Sequence, residues 1–137
     1  MKRSLKNNNP KILFLTYSFF PLQSAEAILN LKLLGSIKGF HIDVLTVDLE
    51  SLDLSVDRSL EHELKGVFKT IYRVEPPFWL SKFLFKLTKY FCFFPDRLQL
   101  LNSSVKKKAR EIGISNYDCV ISWSQWHSIH LVAADLK

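Results

Sequence analysis

Lys11-Ile-Leu-Phe-Leu-Thr16, then Tyr17-Ser-Phe-Phe-Pro-Leu-Gln23, then Ser24 to Gly39, then His41-Ile-Asp-Val-Leu-Thr46 is the stretch that decides the fold. The first piece is a short apolar run after Pro10, the length of a buried parallel strand. From Ser24 the period changes. Ile28, Leu31, Leu34 and Ile37 fall on one helical stripe, thickened by Leu29 and Leu33. Ser24 suits the N-cap, Glu26 the positive first turn, Lys38 the last turn and Gly39 the left-handed stop. A second strand of similar character follows. Strand, helix and strand at this spacing predict a right-handed βαβ unit.

Working outward, residues 1–10 are polar, basic and Asn-rich, and are expected to form a flexible tail. After Asp48, Leu49 to Asp57 has no clear period and reads as a mobile loop. Leu60, Leu64 and Val67 suggest a short helix or turn, and Val67-Phe-Lys-Thr-Ile-Tyr-Arg-Val74 a third strand. Glu75-Pro76-Pro77 breaks regular structure. Phe78 to Phe94 reads as one helix, almost wholly apolar or aromatic, with Lys82, Lys86 and Lys89 on one narrow side. It either packs in the core or against a missing domain with its lysines in solvent, or lies in a membrane interface with its lysines at lipid phosphates. Leu98 to Ile112 reads as another, with Leu101, Val105, Ala109 and Ile112 on one face, Lys106 to Lys108 outward and Gly113 as the stop. Tyr117-Asp-Cys-Val-Ile-Ser122 is a fourth buried strand, followed by helical spacing from His127. The fold class is therefore α/β: a Rossmann-like open parallel sheet of order 3-2-1-4 with helices on both faces.

Composition agrees with one globular domain. The chain has 137 residues and a 47% hydrophobic fraction, with only four glycines and five prolines, enough for a real core. Cys92 and Cys119 lack metal-ligand partners at close spacing, so both read as reduced and structural, in a reducing compartment. The net charge is +6. Between Phe78 and Arg110 lie Lys82, Lys86, Lys89, Arg97, Lys106, Lys107, Lys108 and Arg110 against the single acid Asp96. Such a field favours anionic partners. Met1-Lys-Arg before an apolar run imitates a signal peptide, but Thr16, Tyr17, Ser18 and Pro21 interrupt that run. No stretch is long and apolar enough to span a bilayer.

In the order 3-2-1-4 the direction reverses between strands one and four, and ligands bind beyond the carboxyl ends at such a point. Two loops converge there: Tyr17 to Ser24, and Ser122-Trp-Ser-Gln-Trp-His127. Both are rich in hydroxyls, aromatics and amides. Each leads into a helix N-terminus, whose free N–H groups favour an anion or a sugar hydroxyl. The first loop lacks Gly-x-Gly-x-x-Gly and Gly-x-x-x-x-Gly-Lys-Ser/Thr, which argues against a dinucleotide fold and excludes a phosphate-loop ATPase. Trp123 and Trp126 can stack on a sugar ring or pack in the core. His127 and His130 are one turn apart, but no acid or thiol stands at ligand spacing, so no metal and no cofactor are expected. No Ser-His-Asp grouping and no paired carboxylates are visible, and no catalytic residue is assigned. A basic run at Lys106 to Arg110 without a nucleic-acid motif leaves a nucleic-acid partner unexpected.

These residues resemble a family. The Lys11–Thr16 strand, Phe20-Pro21, the following helix and Gly39-Phe-His-Ile-Asp-Val-Leu-Thr46 are similar to the opening of group-one (family four) glycosyltransferases of the GT-B fold, with their Gly-x-x-Val-x-Val-x-Thr second strand. Tyr117-Asp-Cys-Val-Ile-Ser122, then Ser124 and the helix from His127, is similar to that family's Tyr-Asp-Val-Ile-x-Ser strand. Pro95-Asp96 and the basic helix fit its bacterial members. The chain departs where a Gly-Gly pair is common and Gln23-Ser24-Ala25-Glu26 stands here. The resemblance implies that residues 11–137 are part of an N-terminal, acceptor-binding Rossmann-like domain. A C-terminal domain outside this chain would bind the nucleotide-sugar donor, so the chain alone would be inactive. It implies acceptor-side roles for Tyr17, Ser18, Gln23, Ser24, Ser122, Trp123, Ser124, Trp126 and His127, toward a glycan or lipid-linked acceptor. Trp79, Lys82, Phe83, Lys86 and Lys89 would meet a membrane or partner, in the cytoplasm at the inner face of the membrane. The alternative expectation is a non-catalytic α/β module docking through Phe78–Phe94.

Overall fold

The computed structural model describes residues 9–59, 68 and 70–136. Four parallel strands form its centre: β1 (Lys11–Leu15), β2 (His41–Val47), β3 (Thr70–Val74) and β4 (Cys119–Ser122), in the order β3-β2-β1-β4. β1 is central, with Leu13 opposite Asp43 on one side and Val120 on the other. Among the described residues the helices are α1 (Ala25–Ser36), α2 (Lys82–Leu87), α3 (Asn102–Glu111) and α4 (Ser128–Asp135), joined in part by 3₁₀ turns.

Strand alternation divides the core in two. Leu13, Leu15, Leu45 and Val47 point to one face, where Leu101, Val105 and Ala109 and then Ile129 and Val132 cover them. Phe14, Ile42 and Val44 point to the other, beneath Leu34 of α1 with Phe19 and Phe20. The Leu101–Val105–Ala109 stripe is the one read from the sequence, although its first turn is a 3₁₀ helix, Arg97–Leu101. Gly113 follows the C-cap of α3 at φ of +77°, the left-handed stop expected there, whereas α1 already turns extended at Ile37 and Gly39, at φ of +83°, lies beyond its end ahead of β2.

Five expectations are corrected. The buried stripe of α1 is Ala27, Asn30, Leu31 and Leu34, and Ile28, Leu29, Leu33 and Ile37 are exposed. The polar Asn30 turns inward because its Nδ2 donates to the Ser18 carbonyl at 2.7 Å, beneath the first loop. Lys38 lies beyond the last turn of this helix. Leu49–Asp57 is anchored rather than loose: Leu49 and Leu52 are buried, Glu50–Leu52 is a 3₁₀ turn, and Val56 bridges to Leu22.

Phe78–Phe94 is not one helix. Ser81 caps α2 by accepting from the Leu84 amide, and the helix ends at Leu87 in a 3₁₀ turn, Thr88–Tyr90. The Thr88 hydroxyl donates to the Phe85 carbonyl at 2.6 Å, which competes with the helical ladder, and the residue before Pro95 disfavours helix. Cys92 and Cys119 are exposed. β4 is an edge strand whose Cys119 and Ile121 point to the α1 face beyond that helix's cover. The tail to Asn8, the turn at Leu60–Val67 and Lys69 of the expected third strand lie outside the described residues.

Candidate functional site

The carboxyl ends of β1 and β4 are adjacent, and the Trp123 amide extends their pairing by donating to the Leu15 carbonyl at 3.0 Å. Both loops therefore leave the sheet at the switch point, but only one of them opens to solvent there. Tyr17 is 1% exposed and Ser18 0%, so neither lines an open crevice. The Tyr17 hydroxyl donates to Asn102 Oδ1 at 2.6 Å, and burial pushes the phenol well above its ordinary value. The Ser18 amide donates to Thr16 Oγ1 at 3.1 Å. Two acceptor-side assignments are corrected: Tyr17 and Ser18 hold the loop onto the core. Ser24 is occupied as the α1 cap, its Oγ accepting from the Ala27 amide at 3.0 Å. Gln23 faces a separate recess with Leu22, Ile28 and Asp57.

The second loop forms the open recess. Glu26, Ser122, Trp123, Ser124, Gln125 and His130 line it. Trp123 is 55% exposed, while Trp126 packs partly buried against the core. Glu26 ties the two loops together across 99 positions, its Oε1 accepting from the Gln125 amide at 2.7 Å. Its Oε2 is buried with no hydrogen-bond partner among the described residues. Ser124 is 8% exposed, and its Oγ accepts from the Trp126 amide at 3.2 Å.

His130 was read only as a possible neighbour of His127. It stands in the recess, Nδ1 2.9 Å from Ser122 Oγ and Nε2 3.2 Å from the Ser124 carbonyl. A carbonyl only accepts, so Nε2 donates to it, and Nδ1 shares the second hydrogen bond with the Ser122 hydroxyl. The imidazole is held by a backbone oxygen rather than a carboxylate, so the pair lacks the acid that orients a nucleophilic triad. His127 stands outside this lining, at the N-cap of α4, its ring centroid 6.1 Å from that of His130. Among the described residues no three metal-ligating side chains gather.

The helix starts are already capped. At α4 the Ser128 amide donates to Asp96 Oδ2 and its hydroxyl to Asp96 Oδ1, both at 2.8 Å. The anion cradle expected from free N–H groups is thus largely occupied, and the recess lining holds a carboxylate with no lysine or arginine. Charge and donors together suit a neutral, hydroxyl-bearing ligand more than a phosphate. Sequence reasoning placed Glu26 as a dipole partner and Asp96 as the single acid of a basic stretch. The order 3-2-1-4 was the signal that could have brought Glu26 to the second loop.

The basic residues are partly paired. Lys86 bonds Asp53, Lys106 bonds Asp135, and Lys108 lies 3.3 Å from Glu111. Lys86, expected at a membrane or partner, turns instead toward the Glu50–Leu52 turn. No helix of the described residues is long and apolar enough to cross a membrane. No protein-family profile, no curated protein and no solved structure matches this chain.

Proposed function

We propose that the chain is the acceptor-binding part of a glycosyltransferase that moves a sugar from a nucleotide-sugar donor to a glycan or lipid-linked acceptor. The observation that carries this reading is the recess at the β1–β4 switch point, where an exposed Trp123 stands beside Glu26, Ser122, Gln125 and His130. An indole face with a carboxylate, an amide and a hydroxyl is the chemistry that holds a sugar ring: apolar stacking on one side, directed hydrogen bonds at the edge. The resemblance of the Lys11–Thr46 and Tyr117–Ser122 motifs to glycosyltransferases supports the same assignment. The donor would be held by a second domain outside these residues, since no phosphate cradle stands at the first loop. The proposed setting is the cytoplasmic face of a membrane, where lipid-linked acceptors are within reach.

A titration of the purified chain with neutral oligosaccharides, followed by amide chemical shifts, tests the reading. Shifts are expected at Trp123, Gln125 and His130, and Trp123→Ala is expected to weaken binding about tenfold. Nucleoside diphosphates are expected to leave those shifts unchanged. Nucleotide binding without saccharide binding, or sugar transfer by the chain alone, would overturn it.

A further inference from the structure

The segment Phe78–Phe94 places a large aromatic surface in water. Phe78, Trp79, Phe83, Tyr90, Phe91 and Phe94 are exposed at 100%, 47%, 72%, 74%, 67% and 87%. A monomer rarely leaves so many large apolar side chains of one short segment in water. The segment is fixed from beneath. Leu80 and Phe85 are 4% and 1% exposed, and the Arg97 guanidinium lies 4.5 Å over the Phe85 ring. Two helical residues are about 200° apart, so anchoring Phe85 inward turns Phe83 outward and sets Lys82 and Lys86 to one side.

Charge decides what covers it. Phe78 to Phe94 contains three lysines and no acid. Lys86 is paired with Asp53, while Lys82 and Lys89 make no ion pair among the described residues. A second copy on a two-fold axis would set this same cationic patch against itself. Lysine is also depleted in protein–protein interfaces. Two lysines without an ion pair, Lys89 also lying 4.9 Å over the Tyr90 ring, are few for tracking a nucleic-acid backbone. Phenylalanine, tryptophan and tyrosine beside lysine, on a helix anchored along one side, match the boundary between lipid headgroups and acyl chains.

We infer that this surface is a peripheral membrane anchor: the rings around Phe83 enter the bilayer interface, and Lys82 and Lys89 meet the phosphates of anionic lipids. The anchor shares the membrane setting with the sugar-transfer reading and none of its recess chemistry.

Co-sedimentation of the purified chain with vesicles tests it. Binding to phosphatidylcholine vesicles containing phosphatidylglycerol is expected to exceed binding to phosphatidylcholine alone by about tenfold and to weaken with salt. The pair Phe83→Ser with Phe91→Ser, and separately Lys82→Glu with Lys89→Glu, are each expected to lower it about tenfold with an unchanged circular dichroism spectrum. Trp79 fluorescence should be quenched by brominated acyl chains, and Trp79→Phe should remove that quenching. The inference is overturned by absence of vesicle binding, by equal binding of all variants, by tighter binding to a single-stranded oligonucleotide than to anionic vesicles, or by a dimer that the Phe83 and Phe91 changes dissolve. Vesicle binding without saccharide shifts leaves the anchor standing and removes the sugar reading, and the reverse result does the opposite.

Discussion

Replacing Asp96 with alanine is expected to unfasten two helices at once. Its Oδ1 accepts from the Leu98 amide at 2.9 Å, capping the 3₁₀ turn that leads into α3. The same carboxylate accepts from the Ser128 amide and hydroxyl, and so holds the start of α4 from 32 positions away. A lost N-cap costs about 1 kcal/mol. Ser128 is 0% exposed, so its stranded donors add about 1–3 kcal/mol. The expected loss is about 3 kcal/mol, a large part of the ~5–15 kcal/mol that stabilises such a domain. Asp96→Asn keeps one acceptor oxygen but turns an NH₂ toward a donor, so about half that loss is expected. Urea unfolding followed by far-ultraviolet circular dichroism measures both, as a shift in midpoint at constant slope. Amide exchange should rise first at Ser128 and Ile129. A loss under about 0.5 kcal/mol for Asp96→Ala would refute the reasoning, since a surface carboxylate without these bonds costs no more than that.

Two further outcomes are expected. Burial holds the Tyr17 phenol well above its ordinary value of 10.0. The folded chain therefore keeps a proton that the unfolded chain releases, so this stability is complete below pH 10 and falls above it by about 1.4 kcal/mol per pH unit. Tyr17→Phe should lower neutral stability by about 1–2 kcal/mol, because Asn102 Oδ1 loses its donor, and should flatten the alkaline decline. Tyr117, raised by burial and by the Asp43 carboxylate it donates to, retains its own share; equal alkaline slopes in urea for wild type and variant would contradict the burial argument. Gly113→Ala should cost about 1–2 kcal/mol for its left-handed φ of +77°, since the exposed Asn116 amide, 2.6 Å from the added Cβ, can rotate aside. Gly39→Ala, with φ of +83° and nothing near its Cβ, should cost about the same; thermal unfolding that finds Gly113→Ala clearly the costlier would contradict a freely rotating Asn116.

Much of the architecture was legible in local spacing. The apolar runs at Lys11 and His41 are β1 and β2, Ser24 caps α1, and Gly113 stops α3. The handedness of the crossovers was enough for the order 3-2-1-4. The site was legible only as a pair of loops. Trp123 proved exposed as the reading required, yet Tyr17 and Ser18 were invisible as core residues, since a polar loop after a strand reads the same whether it faces water or Asn102. Asn30 broke the α1 stripe for the same reason: its partner lies on another element.

What the amino-acid order alone determined was what repeats within a turn or a pleat, because periods of 3.6 and 2 are imposed by the backbone next to each residue. Which polar groups answer one another was settled only by packing. Glu26 reaches Gln125, Asp96 reaches Ser128, and Tyr117 reaches Asp43, over 99, 32 and 74 positions. A buried donor finds its acceptor wherever the packed chain brings one, and no local period records that distance.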